Sequence, residues 1–138
     1  MDSNLISISA SGVGAHALYF GVAIVAVVLF VAIYVMVTPY REFALIRDGN
    51  TAAAISLGGA ILGYTIPLAK AVAQSEGLGD MLLWSGVALL AQLVAYGVTR
   101  LVLSRLASDV AEGKTAPAVF LASVSLAIGL LNAAAMTV

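Results

Sequence analysis

The sequence predicts an all-α integral membrane protein whose four transmembrane helices form two hairpins in parallel repeat. Composition is the first observation behind this. The 138 residues are 62% hydrophobic and 9% charged, with a mean hydropathy of +1.10. That leaves too few polar side chains to cover a water-soluble globule of this size. The second is that the apolar residues gather in four runs, each near the roughly 20 residues that cross about 30 Å of hydrocarbon. The third is that the charges fall mainly in the short stretches between those runs. A closed β-barrel would also satisfy its backbone in lipid, but it needs alternating segments of about ten residues, and none is present.

The runs occupy residues 17–38, 52–73, 81–99 and 116–136 of a single membrane domain, 1–138. Before the first lies MDSNLISISASGVGAH, which carries Asp2 and no Lys or Arg. It lacks the positive start of a cleaved secretory signal and is expected to remain as an outer segment, 1–16. The hairpins are then 17–73 and 80–138. Their connections read TPYREFALIRDGNT and RLVLSRLASDVAEGKT, with QSEGLGD between the hairpins. Pro39, Gly49, Gly77, Gly79 and Gly113 are the expected terminators, and Thr51 and Thr115 the expected N-caps of the second and fourth helices. The arginine-bearing stretch after Thr99 is expected to continue the third helix past the membrane surface.

Orientation follows from the basic residues. Arg41, Arg47, Arg100, Arg105 and Lys114, five of the six, lie in the first and third connections. Short loops rich in Lys and Arg stay in the cytoplasm, so both termini are expected on the non-cytoplasmic side.

Asp48-Gly49-Asn50-Thr51-Ala52-Ala53-Ala54-Ile55 aligns without gaps on Glu112-Gly113-Lys114-Thr115-Ala116-Pro117-Ala118-Val119. Two copies of a hairpin, both running out to in and back, would be related by an axis along the membrane normal. The run TPYREFALIRDGNTAAAISLGGAILGYTIPLA resembles the YjfL-like family of small bacterial inner-membrane proteins of unknown function. The motif order there is E, then I-R-x-G-N-x-A-A-A, then G-G-x-x-x-G, then P-L. The resemblance covers most of the chain and is most specific over residues 39–69. It implies a bacterial inner membrane and two hairpins, but lends no reaction. The genes that neighbour this family imply a part in membrane maintenance.

Several residues could carry function. Gly59 and Gly63 form a GxxxG pair, with Gly58 beside it and Pro67 a turn further on, where small residues let another backbone approach. Ordinary helix packing is the simpler reading, and a kinked helix facing a pore is the alternative. Ser85, Gln92, Tyr96 and Arg100 share one face of the third helix. Gln92, near mid-membrane, must find a partner, and Asn132, Tyr64, Thr65 and Ser125 are the candidates. Interhelical glue is weighed there against a conduction path. Lys70, Arg100 and Arg105 are placed at lipid headgroups. His16 is read as an interfacial ring. Arg41, Glu42, Arg47 and Asp48 are expected to form a solvated loop that pairs with anionic lipids and, with Gly49 and Asn50, docks a partner.

Other classes are excluded. A net charge of -1 rules out a basic nucleic-acid footprint, and the absence of cysteine removes disulfides and thiolate sites. Gly12-Val13-Gly14 follows a strand-like LISIS but lacks the second strand and the acid of a dinucleotide site, and Gly113-Lys114-Thr115 has Ser108 where a phosphate loop needs glycine. No paired carboxylates, activated nucleophile or metal cluster lies at membrane depth, so no catalytic residue, metal or cofactor is expected. The sequence therefore points to a non-catalytic membrane component that forms homo-oligomers or serves a larger complex. A small oligomeric channel or transporter is the alternative.

Overall fold

A computed structural model describes residues 3–136. Met1, Asp2, Thr137 and Val138, the outermost residues of the N-terminal segment and of the second hairpin, lie outside the described residues. The architecture is all-helical among those described: α1 (Ser3–Val37), α2 (Glu42–Arg47), α3 (Thr51–Gln74), α4 (Leu78–Val102), α5 (Leu106–Ala111) and α6 (Thr115–Ala135). Four of these, α1, α3, α4 and α6, are long and apolar enough to cross a membrane. Apart from Thr38 and Met136, each one residue past its helix, the apolar runs fall within them because a helix bonds all of its backbone internally, which lipid demands.

Four elements differ from the sequence expectation. α1 begins at Ser3 rather than near residue 17, because nothing between Ser3 and His16 forbids helix and its two glycines are tolerated there. The third long helix ends at Val102 instead of running on, and after a bend the chain starts the separate α5. The cap ahead of α3 is Asn50, whose side chain accepts from the Ala53 amide at 3.0 Å, while Thr51 is the first helical residue. Ahead of α6 the cap position is Lys114, which makes no capping side-chain bond.

The short helices α2 and α5 end alike. Gly49 and Gly113 adopt φ of 88° and 83°, a left-handed conformation that costs a glycine little. The Gly49 amide then donates to the Ile46 carbonyl at 3.0 Å and the Asn50 amide to Leu45 at 2.8 Å. At the other connection Gly113 donates to Val110 at 3.0 Å and Lys114 to Asp109 at 2.9 Å. Each pair satisfies carbonyls that the helix end would leave orphaned and turns the chain back toward the membrane.

α3 and α6 form the most extensive helix contact, α4 packs on both, and α1 leans on α3 and α4. Burial follows the same order. In α3, 56% of the most apolar stretch is covered, against 11% in α1. The buried residues of α1 are Phe30 and Tyr34, near the end that leads into α2. The Phe30 ring stacks on Tyr64 of α3 at 4.3 Å, and Tyr34 meets Tyr96 of α4 edge-on at 5.8 Å.

Candidate functional site

The centre of the bundle is a crossing of small residues. A Cβ added to Gly59 would strike Ala122, one added to Gly63 would strike the Ser125 carbonyl, and one added to Gly129 would strike the Gly63 carbonyl. α3 and α6 therefore touch backbone to backbone. Pro67, buried one turn beyond Gly63, contributes to this. It has no amide hydrogen, so the Gly63 carbonyl loses its intrahelical donor and is left facing Gly129. Gly58, expected to share this packing, meets nothing within 4 Å. It sits about 100° round the helix from Gly59, which turns it off the contact face.

Gln92 enters the same crossing from α4. Its Nε2 donates to the Ser125 carbonyl of α6 at 3.1 Å, and any Cβ on Gly63 would lie 2.8 Å from that nitrogen. The side chain thus joins α4, α6 and α3 at one point. Asn132 does not reach it, Tyr64 stacks on Phe30, and the Thr65 hydroxyl donates to its own helix at Ile61. Gln92→Leu should lower the stability of the purified protein by about 0.6 to 2 kcal/mol, the range for hydrogen bonds between membrane helices. Reconstituted in liposomes, the variant and the parent should both leave ion leak at background. A parent leak that the substitution abolishes would make Gln92 part of a pathway.

A second polar site lies at the end of the bundle that carries α2 and α5. Glu42 was expected in solvent, but it is 0% exposed. The six-residue helix α2 folds its first residue inward, so that Glu42 is buried like Tyr34 and Thr38 before it. The Thr38 hydroxyl donates to Glu42 Oε1. Glu42 Oε2 and the hydroxyls of Tyr34, Tyr40 and Tyr96 are buried with no hydrogen-bond partner among the described residues. Burial lifts the Glu42 carboxyl above its ordinary range, and the bond from Thr38 pulls the other way. Burial likewise raises the Tyr40 hydroxyl. An open cleft of about 530 Å³ adjoins the site and is lined by Tyr40, Arg41, Glu42, Phe43 and Arg47 among others.

Asn50 links the two connections. Its Nδ2 donates to the Val110 and Ala111 carbonyls at 3.0 and 3.2 Å, while its Oδ1 caps α3. One side chain thereby closes the N-terminus of α3 and the C-terminus of α5.

The remaining predicted residues are scattered. Arg41, Arg47, Asp48, Gly49, Arg100 and Arg105 are exposed at the α2 and α5 end. Lys70 lines a small cleft at the opposite end with Glu76, Asp80 and Trp84. His16 stacks on Phe20 at 5.9 Å. Asn132 is half-buried, with no partner for its Nδ2 among the described residues. Sequence reasoning missed the burial of Glu42, the closeness of Gly129 and the ring contact of Tyr34 with Tyr96. No local pattern signalled the first of these, because α2 is only six residues long.

A family model described as Domain of Unknown Function (DUF350) matches residues 7–136. The UPF0719 inner membrane protein YjfL of Escherichia coli (strain K12) is 37% identical over 123 residues, covering 89% of this chain and 93% of the relative. The UPF0719 transmembrane protein YshE of Bacillus subtilis (strain 168) is 29% identical over 114 residues, covering 83% and 85%. No solved structure matches. With a model that spans nearly the whole chain and relatives that are themselves membrane proteins, the chain belongs to the DUF350 family of small, all-helical bacterial membrane proteins.

Proposed function

We propose that the chain is a non-catalytic membrane component that works within an assembly, bound through α1 to copies of itself or to a larger complex it serves. The length of α1 carries this reading. Its 35 residues span roughly 52 Å at about 1.5 Å each. A path through about 30 Å of hydrocarbon reaches only about 39 Å at a tilt of 40°. The first turns of α1 therefore project beyond the hydrocarbon, and they carry the exposed side chains Leu5, Ile6, Ile8 and Val13. Apolar groups held outside both lipid and core call for a partner surface. Further in, α1 diverges from α3 along an apolar groove of about 580 Å³ that runs from Val27 to Gly12 on one side and from Thr65 to Val72 on the other.

The crowding of basic residues at the α2 and α5 end supports an orientation with that end in the cytoplasm and both termini outside. The matching glycine turns of α2 and α5 support reading the halves as duplicated hairpins. Arg100 and Arg105, exposed there, suit contact with anionic headgroups.

Because the chain lacks cysteine, one panel of single-cysteine variants tests both points. Cysteine at Ile8 or Ala15 should give a disulfide-linked dimer under mild oxidation in membranes, and cysteine at Leu83 should not. Native mass measurement in gentle detergent should show more than one chain. With an impermeant thiol reagent on intact cells, cysteine at Gly77 should label and cysteine at Asp48 should not. A monomeric mass with no α1 crosslink and no co-purifying partner would overturn the assembly reading.

A further inference from the structure

The end of the bundle opposite α2 and α5 holds a cleft of about 230 Å³ between the last turn of α3 and the first turns of α4. Lys70 lines it from α3, Ser75 and Glu76 from the connection, and Asp80 and Trp84 from α4. Among the described residues none from α1 lines it, so the cleft stands apart from the proposed assembly surface. Its depth is that of lipid headgroups. Lys70 lies four residues from the end of α3 and Trp84 six from the start of α4, roughly 6 and 9 Å at about 1.5 Å per residue. The polar zone on each face of a bilayer is about 5 to 7 Å thick, and tryptophan favours its boundary with the hydrocarbon.

The cleft carries charges of both signs that are not paired with each other. Lys70 forms no ion pair with Glu76 or Asp80 among the described residues. Asp80 Oδ2 accepts from the Glu76 amide at 3.4 Å, which sets the two acids side by side. Ser75 Oγ, in the same lining, is buried with no hydrogen-bond partner among the described residues. A simple anion would suit Lys70 and be repelled by the two acids, and a simple cation would meet the reverse mismatch. A ligand with one charge of each sign satisfies all three residues. Trp84 adds an aromatic face for its positive end.

We infer that this cleft binds the headgroup of an ethanolamine phospholipid, with the phosphate on Lys70 and the primary ammonium on Glu76 and Asp80. An ammonium has three N–H donors, so one remains for the Ser75 hydroxyl after each carboxylate has taken one. A choline headgroup has no N–H and offers the same oxygens its charge alone. A glycerol headgroup offers them no positive charge. Because the cleft lies at headgroup depth, the bilayer itself presents the ligand.

Trp84 is the only tryptophan in the chain, so its fluorescence reports on the cleft. The full chain in detergent is titrated with short-chain phosphatidylethanolamine, phosphatidylcholine and phosphatidylglycerol, and with glycerophosphoethanolamine, which has the headgroup without acyl chains. The ethanolamine lipid should shift the emission saturably, with a half-saturating concentration about tenfold below those of the other lipids, roughly one charge-assisted bond. Lys70→Gln should weaken that response about tenfold, whereas Lys70→Arg, which keeps the cation, should retain it. Glu76→Gln combined with Asp80→Asn should remove the preference for ethanolamine over choline. Should the double variant fail to fold, Glu76→Gln alone, in the exposed connection, should narrow the preference. No saturable shift, equal half-saturation by the three lipids, or a preference that survives loss of the acids would overturn the site. Glycerophosphoethanolamine binding as tightly as the lipid would overturn the membrane as its source.

Discussion

Gly63→Leu should abolish cooperative unfolding of the purified protein while leaving its helix content nearly intact. Even one extra methylene in a closed contact costs about 1 to 3 kcal/mol, and here the new side chain would meet the Ser125 carbonyl rather than a flexible neighbour. The cost of leucine should therefore exceed about 3 kcal/mol, a large fraction of the roughly 5 to 15 kcal/mol by which folded proteins are stable. Each helix survives in lipid or detergent without the others, so the damage should fall on tertiary packing. Circular dichroism and a denaturant titration separate the two. Gly86→Leu supplies the control, since its added side chain meets open space. Equal stability of the two variants would remove the backbone contact between α3 and α6 from the account.

The second large effect is expected at Asn50. Asn50→Ala removes a helix cap worth about 1 kcal/mol and two bonds to the end of α5 worth about 0.5 to 1.5 kcal/mol each. A total loss of about 2 to 4 kcal/mol should follow, read as a lower midpoint in the same titration. Asn50→Asp discriminates between the two halves of the role. The acid keeps the acceptor for the Ala53 amide but has no donor for the Val110 and Ala111 carbonyls. It should therefore recover the cap alone. Full recovery in Asn50→Asp would show that the link to α5 contributes nothing.

These residues also mark how far the sequence could be read. The spans were legible because lipid imposes a composition that a few interruptions cannot hide. Gly59, Gly63 and Pro67 stand out as small or constrained residues in a regular run, and the structure places all three against α6 or in the core. Gly129 does not stand out, because its meaning depends on which residue of α3 lies opposite. Glu42 was misread for a different reason. A six-residue helix is shorter than the window in which periodicity shows, so a carboxylate between two arginines looked like a solvated loop. The role of Asn50 rests on carbonyls some 60 positions away, and no local pattern reports such a pairing.

The uneven burial of the helices has a consequence for how the chain is made. α1 is the most apolar span and the least covered, so it can settle in the bilayer as soon as it leaves the ribosome. α3 is the least apolar and the most covered, and its main partner is the last helix to be synthesised. At about 5 to 20 residues per second, α3 waits seconds for α6. During that interval its glycine face and the carbonyl freed by Pro67 lie open to lipid or to the insertion machinery. Biogenesis therefore depends most on the span whose own hydrophobicity supports it least.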